Sequence, residues 1–287
     1  MEQRTAPPIL YRGMDRAALD AAYNNSAAVA DSQEWVARWR ARSAEIRAEP
    51  TARLDIVYGA RPRAKLDYFP AGRAGAPLFV FIHGGYWQRN DKDGFAFVAD
   101  GPRPHGIDVA LVGYTLGPQA RIADIVGEMR AALTFLAAKA GDFGFDAARI
   151  FVGGWSAGGH LTAAVCDHPA FCGGLPISGI FDLEPIMLNY LNEKLALDAA
   201  EVKAMSPLRT LPKPGGPLHV SVGGAELPEL QRQSRDYAAA AQTRGQSVRL
   251  SVLAGHHHFS IMDELARPDG ALVGQLRELV ASTNGIK

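Results

Sequence analysis

Four short apolar runs punctuate the chain, at residues 78–82, 109–112, 150–152 and 218–222, the last interrupted by His219 and Ser221. Such runs suit strands covered on both faces, as in a parallel sheet. Stretches of helical composition separate them, at about 92–100, 121–140, 157–166 and 228–243. Strand alternating with helix predicts a doubly wound α/β sheet. Upstream, residues 14–49 are rich in Ala, Arg and Glu and read as helical, with Pro50 as the stop. Residues 53–58 and 64–69 alternate apolar with polar around a turn at 59–62, which predicts an antiparallel hairpin opening the sheet. A further apolar run near 175–180 precedes the segment 183–205, long and helical in composition, which reads as a small cap inserted over the sheet. With no repeat and no low-complexity tract, residues 1–287 read as a single domain with an N-terminal helical segment at 1–50.

Composition narrows the choice. Hydrophobic residues make up 47% of the 287, enough for a core without disulfides or structural metal. Lys plus Arg and Asp plus Glu number 30 each, so the chain lacks the basic field that nucleic acid or an anionic membrane selects. The basic cluster Arg38, Arg40 and Arg42 lies near Glu34 and Glu45 and reads as a solvated helix face. Two cysteines, Cys166 and Cys172, do not make a disulfide framework and fit a reducing compartment. No leader-length apolar run occurs in residues 1–10, and no membrane-spanning run follows. The expectation is a soluble, cytoplasmic protein with a small-molecule substrate and neither nucleic acid nor membrane as partner. Its oligomeric state stays open, a homodimer included.

The strongest chemical signal is Gly154-Trp155-Ser156-Ala157-Gly158. Strand-forming sequence precedes it and helix-forming sequence follows, so the chain must turn sharply at Ser156. A serine on such a turn stands above the sheet in strained backbone, as the nucleophile of the α/β-hydrolase fold does. His83-Gly84-Gly85-Tyr86-Trp87 follows the run at 78–82. Acyl transfer builds charge on a carbonyl oxygen, and backbone amides must meet it; Gly84, Gly85 and Ala157 are the candidate donors. His83, at a strand end, reads as structural. Tyr86, Trp87, Trp155 and Tyr190 are candidate substrate-lining residues, core packing being the alternative.

Serine needs an adjacent base. His256, His257 and His258 follow the strand-like run 248–253, and the order Ser, acid, His is the one this fold uses. His258, next to Phe259 and a helix-prone run, is the preferred base. Three consecutive histidines neither share a helix face nor alternate as a chelate, so no metal is expected. Glu226 is the first carboxylate past the run at 218–222 and is the candidate acid, with Asp182 in reserve. Glu229 reads as part of the next helix's first turn.

These motifs carry a family resemblance. The chain resembles the arylformamidase (kynurenine formamidase-like) group of α/β-hydrolases, related to the hormone-sensitive-lipase-like esterases. The likeness runs through Tyr23-Asn24, Tyr58-Gly59, Leu66-Asp67, the HGGYW run from His83, Gly113-Tyr114, Gly154 to His160, Ser178 to Leu183, Pro228-Glu229, Arg232 to Ser234 and His258-Phe259. It implies hydrolysis of N-formyl-kynurenine or a related aryl formamide, a step of tryptophan catabolism, without metal or organic cofactor, and it favours His258 among the three histidines. The group usually has aspartate as its acid, where this chain has Glu226. The same machinery serves a general short-chain carboxylesterase. A non-catalytic small-molecule-binding protein on this fold would usually have lost a triad member, and here all three are available.

Overall fold

The computed structural model describes residues 7–282; residues 1–6, part of the segment read above for a leader, lie outside it. Eight strands form one sheet in the order β1-β2-β4-β3-β5-β6-β7-β8. They are β1 Arg53–Val57, β2 Lys65–Phe69, β3 Ala76–Ile82, β4 Asp108–Val112, β5 Phe145–Trp155, β6 Gly173–Ile177, β7 Leu218–Gly223 and β8 Val248–Leu253. The first hairpin is antiparallel, as is the pairing of β2 with β4. Every pairing from β4 to β8 is parallel. This is the α/β-hydrolase arrangement that the alternation of runs predicts.

The N-terminal segment forms α1 Arg16–Ala22, α2 Asn25–Ala28 and α3 Ser32–Arg47. It is helical as its composition predicts, in three separate pieces. Asp15 caps α1 by accepting from the Ala18 amide, and Asn24 caps α2 by accepting from Ala27. Short polar side chains of this kind capture backbone donors and start new helices. The central helices are α4 Ile122–Phe143 and α5 Ala157–Ala164. The segment expected as a cap forms α6 Glu184–Met187, α7 Asn192–Leu195 and α8 Ala199–Met205, and α9 Pro207–Thr210 follows it. α10 Pro228–Thr243, α11 Asp263–Ala266 and α12 Ala271–Ser282 complete the set, α12 being a helix the sequence pattern did not suggest. Residues 92–100 wind as a 3-10 helix.

β3 shows why its apolar run is unbroken. Leu78, Val80 and Ile82 face a core shared with Leu133 and Leu136 of α4 and Leu230 and Tyr237 of α10. Phe79 and Phe81 face a second core with Trp39 of α3, Phe97, and Leu272 and Leu276 of α12. Both sides of the pleat are dry, so alternation disappears. Removing one such ring, as in Phe79→Ala, costs about 3–5 kcal/mol.

Parallel pairing also sets the site. Ile82 lies beside Gly154, Trp155 beside Ile177, and Gly223 beside Leu253. The loops leaving β3, β5, β6, β7 and β8 therefore share the carboxyl edge of the sheet, where ligands of open α/β sheets bind. No helix among the described residues is long and apolar enough to cross a membrane.

Candidate active site

β5 ends at Trp155, α5 begins at Ala157, and Ser156 joins them with φ 58° and ψ −116°. An L-residue reaches that conformation only under strain, held by its surroundings. Two features hold it. The Ser156 amide donates to the Ile177 carbonyl of β6 at 2.8 Å. Gly158 lets α5 press on β3, since a Cβ there would stand 1.9 Å from the Ile82 oxygen.

His258 and Glu226 meet above this turn. His258 Nδ1 and Glu226 Oε2 are 2.7 Å apart. Facing a carboxylate, Nδ1 carries the proton, which leaves Nε2 as the acceptor. Glu226 Oε1 accepts from Ser178 Oγ at 2.5 Å and from the Gly223 amide at 2.7 Å. The acid thus bridges the loops after β6, β7 and β8. The indole of Trp155 lies 4.7 Å from the His258 ring, centre to centre, and its Nε1 donates to the His258 carbonyl at 2.8 Å. Among the described residues no group hydrogen-bonds to the Ser156 hydroxyl, His258 Nε2 included. Such links are often long without substrate.

The other candidates are engaged elsewhere. Asp182 pairs with Arg209 Nε at 2.9 Å and accepts from the Tyr11 hydroxyl. Glu229, in the first turn of α10, pairs with Arg232 and accepts from the Tyr23 hydroxyl. His257 Nδ1 accepts from the Phe259 and Ser260 amides and so caps a turn, while His256 Nε2 lies 3.7 Å from Glu264.

The loop after β3 approaches the serine closely. A Cβ on Gly84 would stand 2.6 Å from the Trp155 ring and 3.0 Å from Ser156 Cβ, so only glycine fits. Among the described residues none accepts from the amides of Gly84, Gly85 or Ala157. His83 is structural: Nδ1 donates to the Gly84 carbonyl at 2.8 Å, and the ring stacks on Tyr114 at 4.3 Å. Burial lowers its pKa from 6.5 to about 4, keeping it neutral.

Of the four lining candidates, three lie in the core. Trp87 is fully buried and packs edge-on against His160. Trp155 is buried beneath His258, and Tyr86 is buried with its hydroxyl donating to the Tyr23 carbonyl at 2.6 Å and accepting from Asn25 Nδ2. Large rings at a strand end gain more from the core than from a wet groove. Tyr190 alone of the four is half-buried, its amide bound to Asp20 of α1. Gln88 Nε2 ties the same loop to the segment 183–205 through the Leu191 carbonyl at 2.7 Å. A cavity of about 790 Å³ opens beside Phe259, between α3 and Arg89, with Asp31, Val36 and Arg40 on its wall. Sequence reasoning missed Ser178 and Asn90 as contributors to this edge. Ser178 stood in the quoted Ser178–Leu183 stretch, where Asp182 drew the attention.

One group of three carboxylates has metal-like spacing, Asp55, Asp67 and Asp93. The Lys92 ammonium already sits among them at 2.9, 2.8 and 2.7 Å, and Arg47 also pairs with Asp67 and Asp93. The cluster is an ion-pair network between α3, the first hairpin and the 3-10 helix.

The fold has counterparts among known proteins. The family model described as BD-FAE matches residues 66–167. The kynurenine formamidase of Danio rerio is 29% identical over 80% of this chain and 82% of its own. A crystal structure of a provisionally named thioesterase from a Silicibacter species superposes with a TM-score of 0.81 at 33% identity, covering 89% of this chain and 97% of that one. An esterase from Pyrobaculum calidifontis shares the fold, with a TM-score of 0.71 at 18% identity over 88% of this chain and 92% of its own. The chain is a hydrolase of the esterase type with the α/β-hydrolase fold, and it is similar to the kynurenine formamidases and to the hormone-sensitive-lipase-like esterases.

Proposed function

We propose that the chain is a serine hydrolase that takes a small acyl group, formyl foremost, from an aryl amide such as N-formyl-kynurenine through an acyl-enzyme on Ser156. The observation that carries this is the Glu226–His258 pair, 2.7 Å apart and fixed by Trp155 over the turn that bears Ser156.

His258 Nε2 takes the hydroxyl proton as Ser156 Oγ bonds to the carbonyl carbon. The oxygen's new charge meets the amides of Gly84, Gly85 and Ala157, with the N-terminal end of α5 behind them. Glu226 balances the imidazolium and fixes its tautomer. The C–N bond breaks as His258 returns its proton to the leaving amine. Water then attacks the formyl ester as His258 takes its proton; the C–Oγ bond breaks, His258 returns that proton to Ser156 Oγ, and formate leaves. Burial pushes the Cys166 thiol up to about 12, which keeps it protonated and leaves Ser156 as the nucleophile of this reading.

The test compares an aryl formamide with a p-nitrophenyl ester, in wild type and Ser156→Ala. Formamide turnover that vanishes in the variant is expected. Ester-only turnover would replace the formamidase with a short-chain carboxylesterase. An intact protein that neither turns over substrate nor labels with a fluorophosphonate would remove both.

A further inference from the structure

The loop that offers Gly84 and Gly85 is held by a side chain outside the HGGYW motif. Asn90 Nδ2 donates to the Gly84 carbonyl at 3.1 Å, beside the His83 Nδ1 contact at 2.8 Å. A trans peptide is planar, so its carbonyl and the next N–H point in opposite directions. Pinning the Gly84 oxygen on one side therefore aims the Gly85 amide on the other. The second glycine carbonyl is pinned too, by the Gln88 and Arg89 amides at 3.0 Å each. Asn90 is itself well braced. Its backbone lies in the left-handed region at φ 74°, which asparagine tolerates better than most residues. Its carbonyl accepts from Arg63 Nη2 at 2.7 Å, and Arg63 also donates to Tyr114 and pairs with Asp91.

The geometry points to Asn90 as a positioning residue for the anion-binding loop, one that sets the direction of the Gly85 amide without touching substrate. This rests on the serine-hydrolase reading of the site. Two donors share the Gly84 oxygen, so removing Asn90 loosens the peptide without freeing it. The effect falls below the loss of a whole oxyanion donor, roughly 10- to 100-fold.

The experiment uses Asn90→Leu and Asn90→Asp in the full chain. Aspartate keeps the shape and the tolerance of the left-handed region but has no N–H to give. Expected in both is a kcat lower by roughly 10- to 100-fold with KM within about twofold. Affinity for a trifluoromethyl-ketone transition-state analogue should fall in step with kcat/KM, whereas a substrate-like competitive inhibitor should bind as before. Thermal unfolding checks that each variant is folded, and Asn90→Asp carries the test if Asn90→Leu does not fold. A folded variant with wild-type kcat, a loss confined to KM, or unchanged analogue affinity overturns the assignment. Turnover that survives Ser156→Ala would instead strike at the underlying reaction, independently of Asn90.

Discussion

The indole N–H of Trp155 donates to the backbone carbonyl of His258, at 2.8 Å. One residue before the candidate nucleophile thus anchors the loop that carries the candidate base. The bond is buried and links β5 to the segment after β8, so the position of the imidazole over the turn depends on it. Trp155→Phe keeps an aromatic ring, gives up part of its packing and leaves that carbonyl unpaired. Stability should fall by about 1–3 kcal/mol, and kcat by roughly tenfold or more through misplacement of the base. Denaturant unfolding and steady-state kinetics on one preparation check both. Unchanged kcat would show that the loop is fixed by other means.

Glu226→Gln should reduce kcat by on the order of 10³- to 10⁴-fold. Its amide oxygen can still accept from Ser178 and Gly223, which turns the NH₂ toward His258 Nδ1. The imidazole must then carry its proton on Nε2 and cannot accept one from serine. Glu226→Asp retreats by one methylene and should lose less. Retention of a tenth of wild-type kcat by the glutamine variant would exclude Glu226 as the acid.

Ser178→Ala removes one of the two donors to Glu226 Oε1 and leaves the Gly223 amide in place. A hydrogen bond to a buried carboxylate contributes about 1.5–3 kcal/mol. The variant should be less stable by about that amount, with kcat down by roughly tenfold as the acid loosens. Equal stability in urea titrations would show that the Ser178 contact contributes nothing.

Acid should destabilise the fold through His160 and His83. Burial lowers both from 6.5 to about 4, His160 donating through Nε2 to the Met205 carbonyl. The unfolded chain takes up these protons near pH 6.5 and the folded one only near 4. Their contribution is therefore complete above pH 6.5 and is lost as pH falls through that window, by about 3 kcal/mol for each group at most. Urea titrations from pH 7.5 to 4.5 should show a slope that His160→Gln reduces by up to about 1.4 kcal/mol per pH unit. Identical slopes would mean that His160 takes no part.

Much of this was legible in the sequence because parallel sheets hide both strand faces. The runs at 78–82 and 109–112 fall within β3 and β4, and the turn at Gly154–Gly158 lies where strand gives way to helix. Glu226 and His258, picked out by their order along the chain, are hydrogen-bonded at the edge of the sheet that also carries Ser156. Other features resisted. Nothing local separates His258 from His256 and His257, because the choice depends on Glu226, which lies 32 positions away. Trp87 and Trp155 look like pocket walls beside a reactive loop, yet their area drives them into the core. Asn90 gave no signal at all, since its role is a single contact across a loop that folds back on itself.

The tethers of that loop have a mechanical meaning. Tyr86 is bonded to the Tyr23 carbonyl, between α1 and α2, and Gln88 to the Leu191 carbonyl, between α6 and α7. The loop is thus held from two directions, by the N-terminal segment and by the stretch after β6, on either side of Trp87. A shift of either neighbour strains the same short run of peptide groups, so the loop's geometry is set by distant parts of the chain as much as by its own glycines.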